Sequence, residues 1–510
     1  MNENIREHPP ASAHRWLVLA IVSVGLLLIV VDMTVLYTAL PRLTHDLAAS
    51  ASQKLWIINA YPLVVAGLLP GAGTLGDRIG HKSMFVAGLM VFGLASVAAA
   101  FSTSPEMLIA TRALLAVGAA MMMPATLSII RYTFEDDAER ALAIGIWAAI
   151  ASGGVALGPV VGGVLLEHFW WGSVFLINAP IVLLALPLAW RCITPRSGDA
   201  SRRWDGIGSL QIMVGMVAVA YAIKELGQRS PSWLAVAIAC GVGGVFITVF
   251  ARRQRRRADP LIDFTLFRNR RFSSGVATAL MSSVALIGML LVYVQRLQLV
   301  EGLSPLDAAW MVLPVPLAAF VAGPLAGLAL RWVDAGKLMA GALGVSAVGV
   351  GGLLFSYEAT WWLLIPSLAL IGLGLGAAMT GASSAILLNA PVERAGMAAS
   401  VEEVSYELGA AIGVALLGSV LAGVYSASMM LPEGLGAAET ALDSLDDALL
   451  VAETLPEQSA GVLISLAYAA FDEAFIVTLV LMAVLLAAVA AGIALAVARG
   501  TRNARTAPRT

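Results

Sequence analysis

The sequence predicts an all-α polytopic membrane protein with fourteen spans, and three observations predict it. Hydrophobic residues make up 59% of the 510 positions and charged residues 13%, with a mean hydropathy of +0.86, whereas soluble domains carry about 25% charge. Apolar runs long enough to cross about 30 Å of hydrocarbon recur at 16-38, 55-75, 83-101, 106-130, 140-165, 171-190, 207-225, 233-251, 273-296, 305-330, 338-356, 360-388, 397-424 and 473-498. Basic residues are sorted by side. With the N-terminus in the cytoplasm, 25 of the 31 Lys and Arg residues fall in cytoplasmic segments, three outside (Arg42, Lys54, Arg229) and three within spans (Arg112, Lys224, Arg296), as the positive-inside rule requires. Both termini are expected in the cytoplasm.

Other features exclude rather than assign. Cys192 and Cys240 are the only cysteines, so neither a disulfide framework nor a thiolate metal cluster is indicated. The polar stretch Met1 to Arg15 and the long apolar run after it do not fit a cleavable signal. No metal or cofactor motif stands out, and the five histidines, at 8, 14, 45, 81 and 168, lie near span ends. Nothing suggests an enzyme.

In chain order, span 1 holds LLLIVVDMTVLYTALP, in which Asp32 stands alone in an apolar segment. A charge near a bilayer centre costs roughly 2.5 to 3.5 kcal/mol on insertion scales, so an intramembrane acid is a functional candidate, the alternative being a helix cap. The loop after span 2 reads Gly73-Thr-Leu-Gly76-Asp77-Arg78-Ile-Gly80-His-Lys82. Its glycines permit a tight turn, and its charges can pair with helix ends in one conformation and release them in another. It is no phosphate loop, because the Gly-Lys of a Walker sequence is interrupted by His81. Span 4 places Arg112 before Gly118 and Ala120. Span 5 holds Gly153, Gly154, Gly158, Pro159, Gly162 and Gly163, small residues that allow close helix approach and a proline that bends the segment.

The basic cluster Arg252 to Arg257, with Arg268, Arg270 and Arg271, reads as a juxtamembrane loop touching anionic lipid rather than as a nucleic-acid patch. Span 13 adds Glu402, Glu403 and Glu407, the last two on one face by their i, i+4 spacing. The segment 425-471 carries Glu433, Glu439, Asp443, Asp446, Asp447, Glu453 and Glu457 without a basic residue, and its helical spacing suggests a short outer helix or hairpin.

An internal repeat organises these pieces. A shift of 256 residues superposes Gly67, Gly71 and Gly80 on Gly323, Gly327 and Gly336, and a shift of 255 superposes Gly154, Gly158 and Gly163 on Gly409, Gly413 and Gly418. Two six-span halves separated by a two-span insert account for both. The expected units are 1-190, an insert with basic loop at 191-271, a second half at 272-498 that includes loop 425-471, and a tail at 499-510.

Taken together, the Asp32 stretch, the Gly73 to Lys82 loop, Arg112 to Ala120 and Gly153 to Gly163 resemble the signature set of the major facilitator superfamily, specifically its fourteen-span drug:proton antiporters. The stretches LLEHFWWGSVFLINAP, ending at Pro180, and ASVEEVSYELG, from Ala399 to Gly409, resemble bacterial pumps for quaternary ammonium compounds and methyl viologen. The resemblance implies the major facilitator fold, a monomer in the bacterial inner membrane, and proton-driven export of lipophilic cationic drugs and dyes; the alternative is a metabolite exporter or solute:proton symporter of the same fold. In one departure, Asn59 stands where related pumps often have an acid near the start of span 2.

Depth estimates group the candidates. At about 1.5 Å per residue, Asp32 lies roughly 24 Å from the inner start of span 1, while Arg112 and Asn59 lie roughly 9 and 6 Å from the outer starts of their spans, which puts all three in one outer layer. Asp32 is expected to alternate between proton and cation, with Arg112 lowering the cost of its ionised form. Glu407, roughly 16 Å into span 13, is the second coupling candidate; Glu402 and Glu403 lie nearer the hydrated inner end. For a cation that cannot donate hydrogen bonds, aromatic faces are suitable walls, and Tyr37, Trp56, Trp147 and Tyr406 are the expected ones, ahead of Tyr61, Tyr293 and Trp310.

Overall fold

The computed structural model describes residues 12–506 apart from 48, 50, 197, 199–203, 227–230, 258–259, 358–360, 431–440 and 443. The described residues are helical nearly throughout, because in hydrocarbon each backbone N–H and C=O must be satisfied within its own segment. The helices are α1 (Ser12–Asp46), α2 (Ala51–Ile79), α3 (His81–Ala100), α4 (Pro105–Thr133), α5 (Asp137–His168), α6 (Ser173–Leu176), α7 (Asn178–Cys192), α8 (Gly206–Leu226), α9 (Trp233–Gln254), α10 (Arg270–Leu299), α11 (Pro305–Val312), α12 (Pro314–Ala329), α13 (Ala335–Ser356), α14 (Trp361–Leu388), α15 (Ala395–Ser428), α16 (Leu445–Ala452) and α17 (Glu457–Thr506).

Twelve of the described segments are long and apolar enough to cross a membrane, and α5 makes a thirteenth as two pieces bent by 43° between Val155 and Val160. That bend surrounds Pro159, which lacks the N–H that the preceding turn needs. The remaining expected span is α8, whose apolar part, Gly206–Val219, is shorter than a full crossing. Two expected spans are broken. The run 171-190 is α6 and α7, and the run 305-330 is α11 and α12, interrupted where Pro314 opens the second piece. The last helix starts at Glu457 rather than at 473, so the outer segment is α16 and the first turns of α17. Glu433, Glu439 and Asp443 lie outside the described residues.

Turns between helices are capped by the side chains that the sequence supplies there. Ser104 accepts from Met107 N with Pro105 at the first helical position, Asp136 accepts from Ala138 N and Glu139 N, and Ser304 accepts from Asp307 N.

Two large apolar clusters form the interior. One is built from residues between Val18 and Ile193, joined by Phe272 and by residues from Ile386 to Val401; the other is built from residues between Ala279 and Ile493. A third, small one joins Ile212, Met216, Phe250 and Leu261 with Val404 and Leu408 of α15. Through it, and through Gly67 and Gly71 of α2, which lie against Met213 and Ser209, the α8–α9 pair rests on both α2 and α15. Asp205 fixes that pair by accepting from Arg253 at 2.8 and 2.9 Å and from Gln254. Burial opposes its charge, but the Arg253, Gly208 and Gln254 hydrogen bonds outweigh it and hold the carboxyl down at about 2.

The glycines of the repeat do parallel work in one pair. On α5, a methyl at Gly154 or Gly158 would strike Val30 or Thr34 of α1. On α15, a methyl at Gly409 or Gly413 would strike the backbone at Leu280 or Val284 of α10. Gly163 and Gly418, the third members, are loosely surrounded, so Gly163 makes no close helix approach, contrary to expectation. Gly323 and Gly327 serve a different contact from Gly67 and Gly71: they meet Gly145 and Ala141 of α5, where a Cβ on either Gly145 or Gly323 would lie 2.3–2.4 Å from the other's carbonyl oxygen.

Candidate functional site

Asp32 of α1 is fully buried, at 0% exposure, and four other helices build the node around it. Asn178, the first residue of α7, donates its amide to Asp32 Oδ1 at 3.1 Å and to Ser96 Oγ of α3 at 3.2 Å. Arg112 of α4, 1% exposed, brings a guanidinium nitrogen to 3.7 Å from Asp32 Oδ2. That guanidinium also lies over the ring of Tyr61 of α2, 5.3 Å from its centroid. Tyr61 is itself buried, and its hydroxyl has no hydrogen-bond partner among the described residues. The result is a charged node of Asp32, Arg112, Asn178, Ser96 and Tyr61 sealed inside the apolar interior. Such a group is expensive unless paired and hydrogen-bonded, and the Asn178 amide and Arg112 supply both.

Tyr61 connects this node to α15. It lies within Coulombic range of Asp32, Arg112 and Glu407, and Glu407 is in turn within range of Glu403, beside Glu402. Glu402 accepts from Ser383 Oγ of α14 and from Tyr406 OH at 3.2 Å. Glu402 and Glu403 are both buried, which corrects the expectation of a hydrated position near the end of the span. The reason is packing: α14 covers that side of α15, and the helix end beyond them is closed by α2.

That closure is a set of contacts between the end of α2, the end of α4 and the start of α15. Asp77 accepts from Gly396 N at 2.9 Å and Met397 N at 3.2 Å, so an α2 carboxylate caps the N-terminus of α15, where the helix dipole favours an anion. His81 Nε2 lies 3.1 Å from the same carboxylate. Arg131 donates to Ala390 O at 2.7 Å, and Tyr132 to Val392 O at 2.8 Å. Gly73 permits the approach, because a methyl there would lie 1.9 Å from Ser400 Oγ and 2.3 Å from Gly396 O. Gly80 turns the chain with φ of 94°, and Lys82 donates to Trp190 O. Gly76 lies against His81, while Arg78 is half-buried and approached through its carbonyl by Gly198. Gly162 is buried within α5.

The aromatic candidates are dispersed. Trp147 is buried and donates Nε1 to Thr126 Oγ1, and Trp56 is 46% exposed. Tyr406 stands with Glu402. The side chains of Tyr37 and Asn59, and that of Pro159, lie outside the described residues. Asn178 and Ser96 are the members of the node that the sequence did not single out, and Tyr61 is one that it ranked behind other aromatics.

Comparison with known proteins decides the family. The model of the Major Facilitator Superfamily matches residues 22–208 and 203–414. The chain belongs to the major facilitator superfamily. Relatives of this major facilitator protein include the methyl viologen resistance protein SmvA of Salmonella typhimurium, 39% identical with 90% of this chain and 93% of the relative covered. The multidrug efflux pump LfrA of Mycolicibacterium smegmatis is also 39% identical, with 91% and 93% covered. The tetracenomycin C resistance and export protein of Streptomyces glaucescens is 31% identical, with 91% and 89% covered. The fold is shared with the human organic anion transporter MFSD10, at a TM-score of 0.61 and 14% identity over 94% of this chain and all of that one. It is also shared with the proton:xylose symporter XylE, at a TM-score of 0.56 and 14% identity over 90% and 95%.

Proposed function

We propose that this facilitator exports lipophilic cations, of the quaternary ammonium, dye and bis-pyridinium kind, in exchange for protons. The observation that carries the reading is the sealed Asp32–Arg112–Tyr61–Asn178 node, with Glu407, Glu403 and Glu402 as further carboxylates across from it on α15. A carboxylate in such a place has two possible positive ligands, a proton and a lipophilic cation. Competition between them gives the differential affinity that moves a carrier between its states. The names of the relatives, methyl viologen resistance and multidrug efflux, agree with this substrate class.

In this reading the basic end of the bundle faces the cytoplasm of a bacterial inner membrane, with both termini on that side, and the Asp77–α15 closure seals the cytoplasmic end. The carrier is then in an outward-directed state. Protons arriving from outside load Asp32 or a carboxylate of α15 and expel the cation; the loaded carrier releases the closure and turns inward. The chain works as a monomer of two six-helix halves, 1-190 and 272-498, with 191-271 as a brace between them and 499-510 as a tail. No cofactor, metal or nucleic acid takes part.

The test is proton release on adding tetraphenylphosphonium or methyl viologen to the detergent-purified protein, together with cation export in proteoliposomes. Asp32→Asn should abolish coupled export and most of the proton release, and Glu407→Gln should reduce both. Unchanged export and proton release in both variants would overturn the reading.

A further inference from the structure

A lipophilic cation buried in a protein needs a negative charge to balance it and an aromatic face to replace water. Asp32 and the ring of Tyr61 supply these two groups at one place. Both are already engaged by a cation, the guanidinium of Arg112, which lies 3.7 Å from the carboxylate and 5.3 Å from the ring centroid. Resting on the transport reading above, we propose that Asp32 and Tyr61 are the two walls of a cargo subsite, and that Arg112 is a tethered surrogate for the cargo that fills it when no cargo is bound.

Two details of the geometry fit an occupant that leaves and returns. The contact between Arg112 and Asp32 is longer than the 2.7–2.9 Å of a charge-assisted hydrogen bond, so it is a Coulombic contact rather than a bidentate clamp. The other oxygen of Asp32 is held by Asn178, which is anchored in turn to Ser96, so the carboxylate keeps its orientation when the guanidinium moves away. The four groups, Asp32, Tyr61, Arg112 and Asn178, are all buried, so the place that a cargo cation would take is held by Arg112 in this state.

The arrangement gives proton and cargo a common effect. Protonation of Asp32 removes the charge that faces Arg112, and a cargo cation takes that charge for itself. Either ligand breaks the Asp32–Arg112 contact between α1 and α4, while the empty, unprotonated carrier keeps it. Exchange is coupled because only the two loaded forms break the same contact.

Binding of tetraphenylphosphonium to the full-length protein in detergent separates this from the view that Arg112 merely keeps Asp32 ionised. If Arg112 competes with cargo, Arg112→Gln binds about tenfold tighter than wild type, the size of a desolvated cation–π contact, between about pH 6 and about pH 8. Its export turnover falls, because the empty carrier is no longer held. Arg112→Lys keeps a cation in the fold but stacks less well, and should bind about threefold tighter than wild type. In the Arg112→Gln background, Tyr61→Leu weakens binding and Tyr61→Phe restores it; in the wild-type background Tyr61→Leu has a smaller effect, since competitor and cargo lose the same wall. Weaker or unchanged binding in both Arg112 variants, or equal effects of Tyr61→Leu in the two backgrounds, overturns the proposal. Wild-type protein that binds no tetraphenylphosphonium would instead overturn the transport reading beneath it.

Discussion

Asn178 shows how much rests on a neutral side chain beside a buried charge. Its amide is the hydrogen-bond donor that reaches Asp32 Oδ1, and it ties α1 to α3 through Ser96. Asn178→Ala should lower stability by about 2 kcal/mol, the usual worth of a hydrogen bond to a charged group, measured as reduced resistance to thermal unfolding in detergent. The same substitution should cost less when Asp32→Asn is already present, because the two residues share one network. Equal costs in both backgrounds would show that Asn178 acts elsewhere. Asp32 and Arg112 could be grouped from sequence because intramembrane charges are rare and depth follows from 1.5 Å per residue. The same arithmetic puts Tyr61, Ser96 and Asn178 roughly 7 to 10 Å from the outer ends of their spans, so the layer was legible in full. What hid Ser96 and Asn178, and ranked Tyr61 low, is that such residues are unremarkable in an apolar run, and depth alone does not say which way a side chain turns.

At the scale of elements, α15 joins the parts. Its first turn receives Asp77, its middle carries Glu402, Glu403 and Glu407, and its glycines pack on α10. Asp77→Asn keeps an oxygen at the helix N-terminus but removes the charge, which is worth up to about 2 kcal/mol in a partly buried position. Spin labels at Ile79 and Glu393, on either side of this closure, should therefore show a new, longer distance population in Asp77→Asn. An unchanged distribution would mean that Arg131 and Tyr132 hold the end shut without Asp77. The Gly73 to Lys82 stretch is not a loop but the last turns of α2, Gly80 and the start of α3; its charges and glycines announced a switch, yet its partner was invisible in sequence. The donors that hold Asp77 are the backbone N–H groups of Gly396 and Met397, and a helix terminus has no residue signature of its own. The buried state of Glu402 is hidden for a related reason: distance along a helix is not distance from water where α14 and the closure cover the side chain.

For the whole molecule, hydropathy gave the order of the helices and thirteen of the fourteen expected spans, since membrane thickness and backbone satisfaction leave little choice; the fourteenth, α8, has an apolar part shorter than a full crossing. The breaks at Ile177 and Leu313 and the early start of α17 at Glu457 escaped because hydropathy averages over them. Orientation is the property the charges should fix. A fluorescent protein that matures only in the cytoplasm, fused to either end, should be bright in both fusions, and a phosphatase active only outside should be silent in both. A split result would overturn the even number of crossings.

The bare contact between Gly145 and Gly323 has a mechanical consequence. Where α5 and α12 cross, backbone rests on backbone, with a carbonyl oxygen where each side chain would begin. The bare contact is part of a line of approach that continues one turn along at Gly327 and Ala141 and two turns the other way at Gly153 and Phe320. No side chain at the Gly145–Gly323 step interlocks the two helices, so a shift of one along the other there meets backbone rather than an interdigitated ridge. A side chain as small as alanine at Gly145 or Gly323 would wedge the pair apart, which makes this crossing intolerant of substitution from either helix.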